Sequence, residues 1–149
     1  MVNMLLVQGA NMNHLGLREP EHYGTTTAAE LDTLLQADAK AHGDRLEIFY
    51  TNIEGEAMNR IYAAASAGVQ GLVMNPAGFT HAGYALRDCL KAVALPYVEV
   101  HMTNIERRGI RSVTAEVADG VIFGLGVQSY VLGLAAMRQL LATRCGSAG

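Results

Sequence analysis

The chain has 149 residues, half of them hydrophobic and 17% charged, with a formal net charge of -3. That length suits one domain with a sizeable core, and the balance of apolar and charged residues is that of a globular protein. No Lys/Arg block marks a nucleic-acid surface, and no apolar run approaches the ~20 residues of a membrane span, so neither partner is expected.

The N-terminus enters an apolar run at once, without the basic and then apolar leader of a secretory signal. Cys89, in a predicted helix, and Cys145, near the C-terminus, fit reduced thiols in a cytoplasm better than a disulfide framework.

Apolar bursts recur along the chain at Met4–Val7, Leu46–Tyr50, Gly71–Met74, Tyr97–Val100 and Val121–Phe123. All but the second are short and nearly continuous, as strands buried on both faces are. Glu47 interrupts the second, which suits an edge position.

Helical patterns alternate with them. Thr27-Ala28-Ala29-Glu30 has the form of a capping box, Leu31, Leu34 and Leu35 share a face, and Gly43 stands where a C′ glycine ends a helix. A second helix is predicted from about Gly55 to Ala67, a third from about Ala82 to Val93 and a last from Val127 to Leu141. Residues 102–119 read as a loop with a short helix, and residues 142–149 as a frayed or disordered tail of a single domain, 1–149.

This alternation predicts an α/β fold: a flavodoxin-like three-layer sandwich, with a five-stranded parallel sheet and helices on both faces. Ligands of such sheets bind beyond the carboxyl ends of the strands. The polar loops cluster there in sequence: Asn11 to Tyr23 after the first strand, Asn75 to His81 after the third, and Glu99 to Asn104 at the end of the fourth. The first is long and polar, without helical or strand periodicity, and so is the segment most suited to closing over a site.

Each polar group has a chemical reading and a plain one. Glu99 and His101, two apart on a strand, point to the same face. A carboxylate there fixes the imidazole tautomer and favours a protonated ring that can donate a proton; a merely structural pair is equally compatible. Tyr23 shares its loop with Arg18. A phenol ordinarily ionises near ~10, and a guanidinium nearby favours the anion; taken alone, the pair reads more simply as a packed Tyr and a solvated Arg. Asn75, Ala77, Gly78 and His81 lead into a helix, where backbone amides suit an anion or form a plain turn. Met102 and Thr103 offer backbone donors and a hydroxyl, or a loop cap. Any of Arg107, Arg108 and Arg111 could pair an anion, and at least two of them read as solvated.

Gly124-Leu125-Gly126 only partly matches a dinucleotide fingerprint and reads as a tight turn. No HExxH or comparable spacing marks a metal site, and no loop rich in Ser/Thr follows the first strand to hold a flavin phosphate. Neither a metal nor a cofactor is expected.

With these residues placed, the chain resembles the type II 3-dehydroquinate dehydratases over nearly its whole length. The resemblance is carried by Gln8-Gly9-Ala10-Asn11-Met12-Asn13 with Arg18-Glu19-Pro20 and Tyr23-Gly24, by Asn52 with Glu54-Gly55-Glu56, by Asn75-Pro76 with Thr80-His81, by Ala85-Leu86-Arg87-Asp88, and by Glu99-Val100-His101 with Asn104. It implies dehydration of 3-dehydroquinate to 3-dehydroshikimate by anti elimination through an enolate, without cofactor or metal. Tyr23 would be the base, helped by Arg18. Asn11 would hold a water at the enolate oxygen, and His101, oriented by Glu99, would be the acid. Asn75, His81 and the Met102-Thr103 backbone would bind ring hydroxyls and carboxylate. Asp88 would reach a neighbouring subunit's site, since family members are trimers assembled into dodecamers.

The chain departs from the family pattern at Ala10, at Thr103, in the Ala77-Gly78 order and most of all after Asn104, where Ile105 to Ser112 is a few residues short. The resemblance places the substrate-binding arginine at Arg111, with Arg107 and Arg108 as alternatives. The altered loop leaves open a paralogue acting on a related polyhydroxy-ring carboxylate. A non-catalytic flavodoxin-like binding module is the remaining reading.

Overall fold

The computed structural model describes residues 1–147. Five strands, β1 (Asn3–Ala10), β2 (Arg45–Tyr50), β3 (Gly71–Ala77), β4 (Tyr97–His101) and β5 (Gly120–Phe123), form one parallel sheet in the order β2-β1-β3-β4-β5. The helices are α1 (Pro20–Tyr23), α2 (Ala28–Ala41), α3 (Glu54–Ser66), α4 (Tyr84–Val93) and α5 (Gln128–Ser147). This is the flavodoxin-like order.

Side-chain alternation along the strands divides the core in two. Met4, Leu6, Val73, Val98 and Val100 pack against Leu31 and Leu35 of α2 and Tyr130, Leu134 and Met137 of α5. Leu5, Val7, Leu72, Met74 and Tyr97 pack on the other face against Ala57 and Ile61 of α3 and Leu86 and Leu90 of α4. Burial on both faces is why β1 and β3 are almost wholly apolar.

The capping box at Thr27 forms in full, with Glu30 N–H donating to the Thr27 hydroxyl, and Gly43 takes a φ of 71° just past α2. The edge position of β2 agrees with its interrupted pattern. The fifth strand differs from expectation. It is the other edge, and only Ile122 packs into the core, beside α5. Val121, on the opposite face, is 37% exposed, so the apolar run here reflects burial on one face and not two.

Two segments are more ordered than the sequence pattern suggests. Within Asn11–Gly24 lie a 3-10 turn at Met12–His14 and the single turn of α1, which begins with Pro20 at its first position. The final helix continues past Leu141 to Ser147, so the expected tail is helical up to that residue; residues 148–149 lie outside the described residues. Conversely, α4 starts at Tyr84, because residues 78–80 form their own 3-10 turn. Between β4 and β5 the only regular element among the described residues is a 3-10 turn at Ala115–Val117.

The ends of β1 and β3 touch closely. A Cβ on Gly9 would lie 2.2 Å from the Pro76 carbonyl oxygen, so only glycine fits. Two residues past Asn75 the chain turns sharply at Ala77, with φ 48° and ψ -120°, a conformation suited to glycine. The Asn75 side chain supports it by accepting the Ala77 N–H at 3.0 Å.

Two outcomes are expected in denaturant unfolding. Gly9→Ala forces backbone apart and destabilises the protein by about 2–3 kcal/mol. Ala77→Gly relieves the strained turn and stabilises it by about 1 kcal/mol, raising Tm by about 3 °C.

Candidate active site

A cleft of about 290 Å³ opens beyond the carboxyl ends of β1, β3 and β4. Asn11, Met12, Arg18 and Tyr23 line it from the first crossover, and Asn75, Ala77, Gly78, Thr80 and His81 from the end of β3 and its turn. His101 ends β4, and Met102, Thr103, Ile105, Arg108 and Ile110 follow from the next loop. The three polar loops of the sequence therefore meet at one place.

Tyr23 sits between two guanidinium groups. Arg18 lies over the ring face, its Cζ 4.6 Å from the centroid, and is also 3.6 Å from Glu19. Arg108 Nη1 donates to the phenol oxygen at 3.0 Å and to Thr103 Oγ1 at 3.0 Å. Positive charge thus stands both on the ring face and at the hydroxyl. Short-range sequence reasoning paired Tyr23 with Arg18 alone.

His101 and Glu99 are both buried, and His101 Nε2 lies 2.7 Å from Glu99 Oε2. That bond leaves Nδ1 as the ring nitrogen available to the cleft. Burial pushes the Glu99 carboxyl up, but the hydrogen bond and charge of His101, with the Thr114 and Tyr97 hydroxyls, outweigh it and hold the carboxyl below its ordinary value.

Asn75 is fixed at both ends of its amide. Oδ1 accepts from Ala77, and Nδ2 donates to Tyr130 Oη at 2.8 Å, which itself donates to Gln8 Oε1 at 2.8 Å. Asn11 has φ 72° and is held by its N–H donating to Asn52 Oδ1 at 2.7 Å. His81 lines the cleft from an exposed position.

One residue expected in this cleft lies elsewhere. Arg111 does not line the cleft; its guanidinium bonds Glu116 at 3.1 Å and its side chain is 84% exposed. The cause is local. The loop closes on itself, Ile110 N–H donating to Ile105 C=O at 2.9 Å with Gly109 at φ 66°. That turn carries Arg108 to the cleft and sends Arg111 past it, while Arg107 stays exposed outside the lining. Asp88, on α4, is 68% exposed beside Arg87 and does not line its own chain's cleft. Among the described residues no three His, Cys, Asp or Glu side chains gather as a metal site, and no helix is long and apolar enough to cross a membrane.

Comparison with known proteins bears on the family of the chain. A family model described as dehydroquinase class II matches residues 2–138. The 3-dehydroquinate dehydratase of Ralstonia pickettii is 46% identical over 135 residues, covering 89% of this chain and 87% of that protein. The crystal structure of a type II dehydroquinase from Butyrivibrio crossotus superposes with a TM-score of 0.88 at 33% identity, covering 92% of this chain and 97% of that one. A second, from Propionibacterium acnes, does so with a TM-score of 0.85 at 35% identity, over 94% and 97%. A cleft lined by Tyr23, Arg108 and a Glu99-supported His101, on a sheet shared with these enzymes, leaves one assignment: the chain belongs to the class II dehydroquinase family.

Proposed function

We propose that the chain dehydrates 3-dehydroquinate to 3-dehydroshikimate by anti elimination through an enolate. The observation that carries this reading is the shared cleft, which takes a phenol from the first crossover and an imidazole from the end of β4. The names of its relatives support the choice of substrate.

In this mechanism the Tyr23 phenolate removes the proton α to the ring ketone, and the C–H electron pair moves into the enolate. Arg108 and Arg18 stabilise the phenolate before transfer. The Asn11 side chain, with nearby backbone, holds a water against the enolate oxygen. As the enolate collapses, the C–O bond at the β position breaks and His101 donates a proton to the departing hydroxyl, which leaves as water. Glu99 keeps the imidazole oriented and balances its charge. Exchange with solvent then returns Tyr23 to the anion and His101 to the protonated ring. Asn75 and His81 bind ring hydroxyls, and the Met102-Thr103 backbone takes the carboxylate. The exposed Asp88 is free to complete a neighbouring subunit's site in a trimer-based assembly.

A related polyhydroxy-ring carboxylate is the second reading, favoured by the altered loop after Asn104, from which Ile105 and Ile110 line the cleft. Relative turnover of 3-dehydroquinate and related ring acids separates the two.

Formation of the conjugated enone is followed by its ultraviolet absorbance. Tyr23→Phe is expected to lose turnover by about 10³-fold or more while keeping the wild-type Tm; near-normal activity refutes the base assignment. Arg108→Met is expected to lower kcat by about 10–100-fold. Arg111→Met is expected to stay near wild type, and the reverse order would return the charge role to Arg111.

A further inference from the structure

Both oxygens of the Glu99 carboxylate are in use. Oε2 holds His101. Oε1 accepts the Tyr97 hydroxyl at 2.6 Å and also the hydroxyl of Thr114. Ser112 Oγ lies 3.1 Å from Thr114 Oγ1. A threonine hydroxyl has one proton. Because that proton goes to Glu99, Ser112 is the donor in its pair with Thr114. All five residues are buried, none more than 6% exposed.

We infer that Tyr97 and Thr114 are positioning residues of the reaction, which pin the Glu99 carboxylate through the oxygen His101 does not use and so fix the imidazole facing the cleft. The inference rests on the dehydratase reading above and extends it to groups that never touch substrate.

The geometry supports it in three ways. First, the terminal torsion of a glutamate is broad. A carboxylate held only by His101 could rotate and carry the ring with it; two donors on the opposite oxygen remove that freedom. Second, the donors come from different parts of the chain, Tyr97 from β4 and Thr114 from the loop before β5. Thr114 is fully buried, where a valine would fill the same space. A buried hydroxyl aimed at a carboxylate therefore serves more than packing. Third, the neighbouring Val113 N–H donates to the Thr80 carbonyl at 3.0 Å, and Thr80 lines the cleft. The loop that supplies Arg108 is thus seated against the same carboxylate that orients His101.

The charge state follows from the same contacts. Burial alone would raise the Glu99 carboxyl, yet its hydrogen bonds hold it below the ordinary value. The titratable groups facing it are His101 and Tyr97, both on β4. From the helix and turn packed over that face, Arg87, Asp88 and Glu116 pair with one another at the surface, and Cys89 turns to the Met58 carbonyl. A carboxyl with a depressed value stays ionised as pH falls, and its hold on His101 is lost only as pH drops through that value. Removing a donor raises the value, so the hold on His101 is lost at a higher pH.

Thr114→Val, Tyr97→Phe and Thr114→Ser test this, each alone and combined with Glu99→Gln, by 3-dehydroquinate turnover across pH with Tm alongside. Thr114→Val and Tyr97→Phe should each lower kcat about tenfold with KM unchanged, and should raise the pH at which the His101 Nε2 proton loses its exchange protection. Thr114→Ser should recover most of the loss. With Glu99→Gln present, neither substitution should change kcat by more than about twofold. The inference is overturned if kcat and that pH stay at wild type, if Thr114→Ser fails to recover activity, or if the losses persist in full beside Glu99→Gln. Absence of turnover by the unmodified chain strikes the dehydratase reading instead. The pinning is then read from the His101 Nε2 proton by NMR: exchange protection lost in Thr114→Val upholds it, and unchanged protection refutes it.

Discussion

β1, β3 and β4 lie side by side and run parallel, so their carboxyl ends reach the same edge of the sheet. Every polar group of the cleft depends on that constraint. A strand end is a rigid mount. Gln8, Asn75 and His101 each stand at or near the last residues of their strands, and two apolar core layers hold those strands in place. Close contact between Gly9 and Pro76 and the sharp turn at Ala77 then set where the first two loops leave the sheet.

On that mount the cleft separates two kinds of electrostatic surroundings. Tyr23 is on a short helix at the rim, with cations as its neighbours. His101 is 5% exposed and backed by a carboxylate that is wholly buried. A buried carboxylate tolerates loss of solvent only when its lone pairs are satisfied. The Tyr97 and Thr114 hydroxyls do this for Glu99. The cleft thus sets a phenol among cations opposite an imidazole backed by a buried carboxylate.

Much of this was legible from residue order. The capping box at Thr27 and the edge position of β2 follow from local patterns, because those patterns reflect backbone hydrogen bonding and burial with short periods, and the sheet order follows from the strand–helix alternation. The Glu99–His101 pair was legible for the same reason, as residues two apart on a strand share a face. What was not legible is long-range. Arg108 meets Tyr23 across 85 residues and Tyr130 meets Gln8 across 122, and no local pattern encodes such contacts. Choosing among Arg107, Arg108 and Arg111 required the turn that Ile105 and Ile110 close. Thr114 lay in a stretch without periodicity, so nothing in its neighbours pointed to Glu99. The fifth strand was misjudged because an apolar run reports burial without saying how many faces are covered.

Tyr130 belongs to the final helix, α5, yet its hydroxyl holds the amide of Asn75 at the end of a central strand. The same helix closes one whole core layer. Strand pairing alone therefore leaves the Asn75 amide without the Tyr130 hydroxyl. Docking of α5 completes this wall of the cleft, so loosening the packing of that helix on the sheet reaches the site through one hydroxyl.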